Sequence, residues 1–369
     1  MVYSRVVKPV LFTMSPDVVH ERMLRGAQLA GRVPGLPRML RSVWRYDNSA
    51  RLSQEIYGVP FPNPVGLAAG LDKNADLVRL LPSIGFGFGT VGSVTHQVCE
   101  GNPRPWFYRL PKAKSLVVHV GLANHGVKAV ATMLKKQTVG LHGFPVVVSV
   151  AKTNCKETCS DPEAIDDYVG SLKLLKDEPS AQVLEINISC PNTYGGEPFT
   201  DPKRLEALLV AVDALSITKP IWVKMPINHA WPEFKALLEV IVEHNVQGVT
   251  IGNLNKDRTA MAIPAAELPP KVEGNLSGKL TQTLSDALIA QTYREYGKKL
   301  TIIGVGGIFT AEDAYRKLCL GASLVELITG MIFEGPQLIG HINCEITHLL
   351  AKDGFAHISA AVGSQNHRL

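Results

Sequence analysis

The sequence predicts an α/β protein: a TIM (β/α)8 barrel with an N-terminal helical extension. From residue 60 onward, eight short apolar runs alternate with longer amphipathic segments, which matches the eight strand–helix units of such a barrel. The runs are apolar at successive positions, as expected for parallel strands covered on both faces. An open doubly wound sheet is the alternative, but the strand count and the absence of a G-x-G-x-x-G motif after the first strand disfavour it.

The predicted strands are rich in Val, Ile and Leu. They span Pro64–Gly70, Gly87–Thr95, Pro145–Lys152, Gln182–Ser189, Pro220–Pro226, Gly248–Asn253, Leu300–Gly307 and Leu324–Gly330. Between them, Asp161 and Asp201 each precede a proline and predict helix N-caps, as does Thr310 before an acidic first turn. Two further helices are predicted at Ala230–Asn245 and Leu284–Lys299.

The basic residues of the chain are concentrated at its N-terminus. Residues 1–45 carry eight Lys or Arg against two acidic residues, a net charge of +6, whereas residues 46–369 sum to −1. A helix is predicted from Ser15 to Pro34, with a second short helix over Met39–Trp44. We therefore divide the chain into a basic amphipathic helical segment, 1–45, and a barrel domain, 46–369. The near-neutral body argues against a nucleic-acid enzyme, and the amphipathic segment suits an anionic membrane surface.

Cysteine usage and hydropathy indicate a soluble or peripheral protein. Six cysteines are too few for a disulfide scaffold. Cys155 and Cys159 form a C-x3-C pair without a second pair at zinc spacing, so they are interpreted as ordinary thiols and no metal site is predicted. The N-terminus lacks the apolar core of a signal peptide. No apolar run reaches the roughly 18 residues of a membrane-spanning helix.

Polar or glycine residues follow nearly every predicted strand, at the barrel end where catalysis is located. They are Lys73, Ser93, Lys152, the segment Asn187–Asn192, Lys224, Asn253, Gly306, Gly307, Thr329 and Gly330. Glycines after the last two strands favour a phosphate site over ordinary turn glycines. Two long excursions, Phe107–Gly121 and Leu254–Thr283, are expected on the same face.

Five segments resemble the dihydroorotate dehydrogenase family. They are Pro64–Lys73, Asn187–Asn192, Leu276–Gly278, Ile303–Ile308 and Gly321–Val325, and they occur in the family's order over nearly the whole chain. The basic N-terminus with Ser15–His20, and the later Phe107–Leu110, are similar to the membrane-associated, quinone-using class 2 branch. The resemblance implies an FMN-binding barrel whose N-terminal helices form a quinone tunnel.

The resemblance implies oxidation of a C–C single bond beside a carbonyl, with Cys190 as the base that removes a proton. Class 2 enzymes usually carry Ser at this position, whereas soluble class 1 enzymes carry Cys. A thiol has an unperturbed pKa of about 8.5 and is far more acidic than a hydroxyl, so it needs less help to act as a base. A buried cysteine that only packs beneath a loop is the alternative.

The same resemblance assigns the other site residues. Lys73 would face substrate and flavin; Asn187, Asn192 and Asn253 would hydrogen-bond the substrate, beside Val118 and Leu254; and His20 and Arg109 would line the quinone tunnel. Lys224 would stabilise negative charge on the reduced flavin. Contacts to FMN are expected from Ala69, Gly70, Ser93, Ser149, Asn187, Lys224, Gly252, Gly278, Gly307, Thr329 and Gly330.

The sequence departs from the family pattern at four positions of the expected site. Val118 replaces a substrate-binding Asn, Leu254 replaces a hydroxyl contact, Ser149 replaces an FMN-contacting Asn, and Ile328 replaces a tunnel Tyr. Each substrate group left unpaired in a buried site would cost about 1–3 kcal/mol.

Three functions are therefore open. The first is oxidation of (S)-dihydroorotate to orotate in pyrimidine biosynthesis, with electrons passed to quinone at an inner or cytoplasmic membrane surface. The second is a paralogue that applies the same FMN and cysteine chemistry to a less polar ring in another pathway. The third is a barrel that binds a phosphorylated ligand without redox chemistry.

Overall fold

The computed structural model describes residues 3–46, 49–259, 263, 264, 267 and 272–366. Part of the predicted 254–283 excursion lies outside the described residues. So do residues 1–2 of the predicted N-terminal segment and residues 47–48 and 367–369 of the predicted barrel domain. The predicted boundary between residues 45 and 46 stays a prediction. Within the described residues no helix is both long and apolar enough to cross a membrane.

The N-terminal extension is helical, as predicted. A π-helical turn at Tyr3–Val7 leads into four helices: α1 (Lys8–Thr13), α2 (Pro16–Arg32), α3 (Leu36–Trp44) and α4 (Ser49–Leu52). The expected start of the second helix at Met39 is wrong, because the chain already turns into α3 after Gly35, which has a left-handed φ of 83°. Pro37 lies in the first turn of α3, where a proline needs no intrahelical donor.

Thirteen strands follow in the described residues. They are β1 (Gln54–Ile56), β2 (Val59–Phe61), β3 (Val65–Leu67), β4 (Phe88–Val94), β5 (Phe107–Leu110), β6 (Ser115–Val118), β7 (Val146–Val150), β8 (Val183–Asn187), β9 (Ile221–Met225), β10 (Gly248–Ile251), β11 (Asn275–Gly278), β12 (Thr301–Val305) and β13 (Leu324–Leu327). Eight of them close a barrel in the order β3-β4-β7-β8-β9-β10-β12-β13. The TIM barrel is thus confirmed, and each of its strands lies inside a predicted strand.

Helices cover the outside of the barrel. They are α5 (Val127–Thr138), α6 (Asp161–Leu175), α7 (Pro202–Asp213), α8 (Trp231–Ile241), α9 (Gln282–Tyr296), α10 (Ala311–Leu320), α11 (Thr329–Glu334), α12 (Leu338–Lys352) and α13 (Ile358–Ala361). Two N-cap predictions are confirmed: Asp201 accepts from Lys203 N and Arg204 N, and Thr310 accepts from Asp313 N. The prediction of Asp161 as an N-cap is wrong by one residue, because Ser160 is the extended residue before α6.

The two predicted excursions form one sheet rather than loops. Strands β5, β6 and β11 pair antiparallel, with Val118 opposite both Phe107 and Asn275. We call these three strands the mouth sheet. It connects chain segments more than a hundred residues apart and stands at the carboxyl ends of the barrel strands.

The other end of the barrel is closed by apolar side chains. The β1–β2 hairpin contributes Val59 and Phe61, which pack with inward residues at the amino ends of the barrel strands: Phe88, Val147, Val183, Trp222, Ile303 and Leu324. This plug leaves the carboxyl ends of the strands as the open end of the barrel.

The extension packs on that open end. Arg109 of β5 donates to the carbonyl oxygens of Phe12 (3.4 Å) and Met14 (2.7 Å), and the ring of Phe12 meets Phe333 edge-on at 5.3 Å. Asp17 is buried and accepts from the backbone N–H of Trp106. These contacts hold the extension against the mouth sheet and α11.

Candidate active site

Two adjoining cavities open at the carboxyl ends of the barrel strands. They share Ala69, Lys224, Asn253, Leu254 and Thr329 in their linings. We call them the glycine cavity and the aliphatic cavity. The aliphatic cavity encloses about 900 Å³, including its open mouth, which is the size of a small-molecule site.

The glycine cavity is shaped by backbone. Gly252, Gly278, Gly306 and Gly307 all have positive φ, between 72° and 133°. At Gly252 an added Cβ would meet the carbonyl oxygen of Val305 at 2.3 Å. Gly330 also lines the cavity, as does Thr329. A surface this free of side chains lets backbone groups approach a bound ligand closely.

The loop that follows β12 is held in place from behind. Gln282 donates to the carbonyl oxygen of Gly307 (2.8 Å) and to Asp313 (2.7 Å). Asp313 in turn accepts from the N–H of Phe309 (3.0 Å) and from Lys279 (3.0 Å). This network fixes the glycine loop before any ligand arrives.

The aliphatic cavity contains the predicted base. Cys190 follows β8, and burial raises the pKa of its thiol to about 11, although Lys224 and Lys152 act in the opposite direction. The amine of Lys152 donates to the carbonyl oxygen of Tyr194 at 2.6 Å, which fixes it close to the segment that carries Cys190. The free protein therefore holds Cys190 as a neutral thiol at pH 7.

Lys73 also lines this cavity and follows β3. Burial lowers the pKa of its amine to about 8, and the neighbouring Asp72 opposes that shift. Asp72 is buried and accepts from the N–H groups of Asp76 (2.7 Å) and Leu77 (3.0 Å). Lys73 is therefore mostly a cation at pH 7 and loses its charge as the pH rises through about 8.

The three predicted substrate-binding asparagines all line this cavity, and their amides already bond to protein. Asn187 donates to Ser93 (2.8 Å). Asn192 donates to the carbonyl oxygen of Val118 (3.0 Å) and accepts from Asn275 (2.7 Å). Asn253 donates to both the carbonyl oxygen and the hydroxyl of Ser189, and its own oxygen accepts from the N–H of Leu254. Asn253 thus retains the least donor capacity for a ligand.

The remaining wall is aliphatic. It is made by Leu116, Val118, Val120, Leu122, Leu254, Ile328 and Ile332. Val118 and Leu254, the two positions that depart from the family pattern, lie within this wall. They put methyl groups where the resemblance expects polar contacts.

Comparison with known proteins identifies the family. The family model for dihydroorotate dehydrogenase matches residues 51–350. The protein named "Dihydroorotate dehydrogenase (quinone)" of Deinococcus deserti is 36% identical and aligns with 98% of this chain and 99% of its own length. The protein of the same name from Acidithiobacillus ferrooxidans is also 36% identical, over 97% and 98%.

The chain belongs to the dihydroorotate dehydrogenase family.

The fold agrees with solved structures of the family. DHODH from Eimeria tenella in complex with ferulenol superimposes with a TM-score of 0.83 at 26% identity, covering 96% of both chains. The ligand-free form of that enzyme gives a TM-score of 0.82. Dihydroorotate dehydrogenases are flavin-dependent, and the glycine cavity with Lys224 at its edge fits such a group, since phosphate approaches backbone where an added Cβ would clash.

Two of the predicted site residues of this dehydrogenase, Ser149 and Arg109, line neither cavity. Ser149 is fully buried and meets the hydroxyl of Ser93 at 2.8 Å, so it stands behind a lining residue. Arg109 is occupied with the carbonyl oxygens of the extension. His20 does line the aliphatic cavity. Its ring lies 4.9 Å from that of Phe107, and burial, with Lys73 and Arg104, lowers its pKa to about 3.

Sequence reasoning missed several residues that build the site. Ser277 and Thr281 line the glycine cavity, while Leu116 and Ile332 line the aliphatic one. Asn275 orients Asn192. The signal for Ser277 was available, because it stands beside Gly278 in a segment that matches the dehydrogenase family. Asn275 acts through the pairing of the mouth sheet, which no local pattern reveals.

Proposed function

We propose that the protein is an FMN-dependent dihydroorotate dehydrogenase that oxidises (S)-dihydroorotate to orotate and passes the electrons to a quinone. One observation carries the assignment: Cys190, Lys73 and Lys224 face one cavity, and Lys224 also lines the glycine cavity beside it. A proton acceptor, a cation that can bind the substrate and a flavin site thus lie side by side in a chain whose relatives are named for this reaction.

The residues divide the work between the two cavities. Gly252, Gly278, Gly307, Thr329 and Gly330 would hold FMN, with Ala69, Gly70 and Ser93 alongside. Bound FMN supplies the hydride acceptor. Lys224 offers a cation where negative charge develops on reduction. Asn187 would serve both ligands, because it lines the aliphatic cavity and bonds to Ser93.

Cys190 would accept the proton through its Sγ atom. Since the free thiol has a pKa of about 11, only the small thiolate fraction acts at pH 7, and the two nearby lysines favour that form. Lys73 would bind the negative charge of the substrate, and Asn192 would donate its second N–H.

The quinone would enter between the extension and the mouth sheet. His20 stays neutral there, because its pKa of about 3 lies far below physiological pH. Phe107, Leu116 and Ile332 provide apolar surface for a quinone ring. Arg109 would position the extension at this entrance through the carbonyl oxygens it binds, rather than by contacting the quinone.

Membrane association is proposed for residues 1–45. Many of the exposed large apolar side chains in the described residues lie here: Val6, Val7, Val10, Val18, Met23, Leu29, Val33, Met39 and Val43. Basic residues are interleaved with them, as in segments that lie on anionic lipid.

Val43→Asp should weaken sedimentation of the protein with anionic vesicles. The matched control is Val139→Asp, because Val139 is equally exposed, 72% against 70%, but lies on the barrel. Equal loss in both variants would contradict the assignment.

A second candidate is a paralogue acting on a less polar ring. It is favoured by the methyl groups of Val118 and Leu254 and by the engaged amide of Asn253. The non-redox phosphate-binding barrel is disfavoured, since the family is flavin-dependent.

One experiment separates these functions. Purified protein should be yellow, release FMN on denaturation, and lose its flavin absorbance when mixed anaerobically with dihydroorotate. A short-chain ubiquinone analogue should restore the absorbance. Intact FMN that dihydroorotate does not bleach, but an apolar cyclic ketone or lactam does, would favour the paralogue. Colourless protein that binds no FMN would defeat both.

A further inference from the structure

The interior of the barrel contains two buried glutamates that the proposed reaction does not use. Glu185 of β8 and Glu326 of β13 are both completely inaccessible to solvent. On their own strands they follow the plug residues Val183 and Leu324 by two positions, towards the carboxyl ends of the strands. They therefore occupy the layer between the plug and the two cavities.

Each glutamate is held by a threonine two strands away. Thr90 of β4 donates to Glu326 Oε1 at 2.5 Å, across β3, where Glu326 is paired with Gly66. Thr250 of β10 donates to Glu185 Oε2 at 2.6 Å, across β9. The other two carboxylate oxygens, Glu185 Oε1 and Glu326 Oε2, have no hydrogen-bond partner among the described residues.

Lys224 is the cation of this layer. It is buried, stands opposite Thr250 and Asn187 in the parallel register, and lines both cavities. The other strands around the pair add no further charge at this level: Glu185 is paired with Ser149 and Trp222, and Glu326 with Gly66 and Val305. Lys224 acts electrostatically on Glu326, and Glu185 precedes the register partner of Lys224, Asn187, by two residues.

Two ionised carboxylates in so dry an interior would be strongly unfavourable. Burial and the neighbouring Glu185 raise the pKa of Glu326 to about 8, and Lys224 only partly opposes this. A single proton reduces the charge of the pair from two to one, which Lys224 balances. It also turns one partnerless oxygen into a donor. Carboxyl groups whose charges repel each other in a buried site take up one proton as a pair for the same reason.

We propose that Glu185 and Glu326 hold one proton between them and, with Lys224, form an electroneutral unit that sets the electrical potential beneath the flavin cavity. The two glutamates are positioning residues that act through Lys224. The effect on the flavin rests on the proposed function, whereas the shared proton does not.

The shared proton makes an unusual prediction for charge-neutral substitutions. In Glu185→Gln or Glu326→Gln, the remaining carboxyl group ionises and Lys224 stays balanced, so the flavin midpoint potential at pH 7 should stay near that of the unmodified protein. The double variant leaves Lys224 unbalanced and should favour the reduced flavin at least tenfold, which is about 30 mV for a two-electron couple. Single variants that each give half of the double shift would overturn the proposal.

Infrared spectroscopy tests the proton without relying on the flavin. In difference spectra against the unmodified protein, both single variants should lose the same buried protonated carboxyl band, whereas any band of Asp72, whose pKa burial raises to about 7, should be common to all of them. If this band persists in Glu185→Gln, Glu326 is protonated by burial alone, and the proposal that the two glutamates share a proton is overturned.

The matched control is Glu178→Gln, which removes a buried carboxylate paired with Lys135 outside the barrel interior. It should leave both the band and the potential unchanged, and near-ultraviolet circular dichroism checks that each variant is folded.

Discussion

The glycine cavity and the aliphatic cavity meet at Lys224 and Asn253 but differ in what they present to a ligand. The glycine cavity is defined by backbone at Gly252, Gly278 and Gly307, where no side chain fits. The aliphatic cavity is defined by side chains, among them Val118 and Leu254, at which the resemblance expects polar groups. Backbone therefore shapes the glycine cavity, whereas side chains determine the polarity of the aliphatic one.

The comparison is tested most strongly by Cys190→Ala. Loss of the proton acceptor should slow substrate-driven flavin reduction by about 10²- to 10⁴-fold, while the flavin stays bound because the glycine cavity is untouched. Stopped-flow absorbance measures the rate. The control is Cys99→Ala, a buried thiol in the same small apolar cluster as Cys190. Reduction at an unchanged rate in Cys190→Ala would mean that another group is the base.

Gly307→Ala should have the opposite effect to Cys190→Ala, because it alters the glycine cavity and leaves the proton acceptor in place. Its Cβ would lie 2.3 Å from the Cβ of Gln282, and overpacking of about 1–3 kcal/mol should weaken FMN binding by about 10- to 100-fold. Gly140→Ala is the control, since Gly140 has the same φ of 72° but open space around it. Fluorescence of released flavin measures binding. Equal loss of flavin from both variants would mean that backbone strain at positive φ, and not the clash with Gln282, causes the effect.

The pH dependence of flavin reduction and of substrate affinity should come from Cys190 and Lys73 in the aliphatic cavity. Below the Cys190 pKa of about 11, each pH unit increases the thiolate fraction about tenfold, so reduction at saturating substrate should accelerate by that factor per unit. Above about pH 8, Lys73 loses its charge, so the apparent affinity for an anionic substrate should fall. Affinity for FMN should change little over the same range. A saturating rate that is flat between pH 6 and 8 would argue against the thiol as the base.

The smallest effect is expected from restoring polarity to the aliphatic wall. Val118→Asn or Leu254→Thr would add one hydrogen-bonding group, worth about 0.5–1.5 kcal/mol, and should lower the KM for dihydroorotate by about two- to tenfold. Val120→Asn, in the same wall, is the control. Improvement in Val118→Asn and not in Val120→Asn would show that specificity is determined at the departing positions. If neither variant helps, the two cavities do not divide function in this way.

The barrel could be predicted because its strands are largely apolar at successive positions, as at Val146–Val150, where four of five residues are Val and every residue is buried. The polar layer could not, because Glu185 interrupts an apolar strand and its partner Thr250 is 65 residues away. A single charged residue in a strand gives no sign of whether it faces solvent or the barrel interior. The mouth sheet escaped prediction for the same reason: its pairing depends on distant segments, and Leu116 shows its cavity-lining role only once β6 is paired.

Helix α11 links the cofactor end of the protein to its extension. Thr329 and Gly330 line the glycine cavity, Ile332 lines the aliphatic one, Phe333 packs on Phe12, and the carbonyl oxygen of Ile332 accepts from Tyr3 at 2.6 Å. Inserting one residue into α11 would rotate its end by about 100° and separate these contacts. The extension and the barrel are therefore coupled through α11, and we expect an N-terminal segment exchanged between homologues to function only if α11 is exchanged with it.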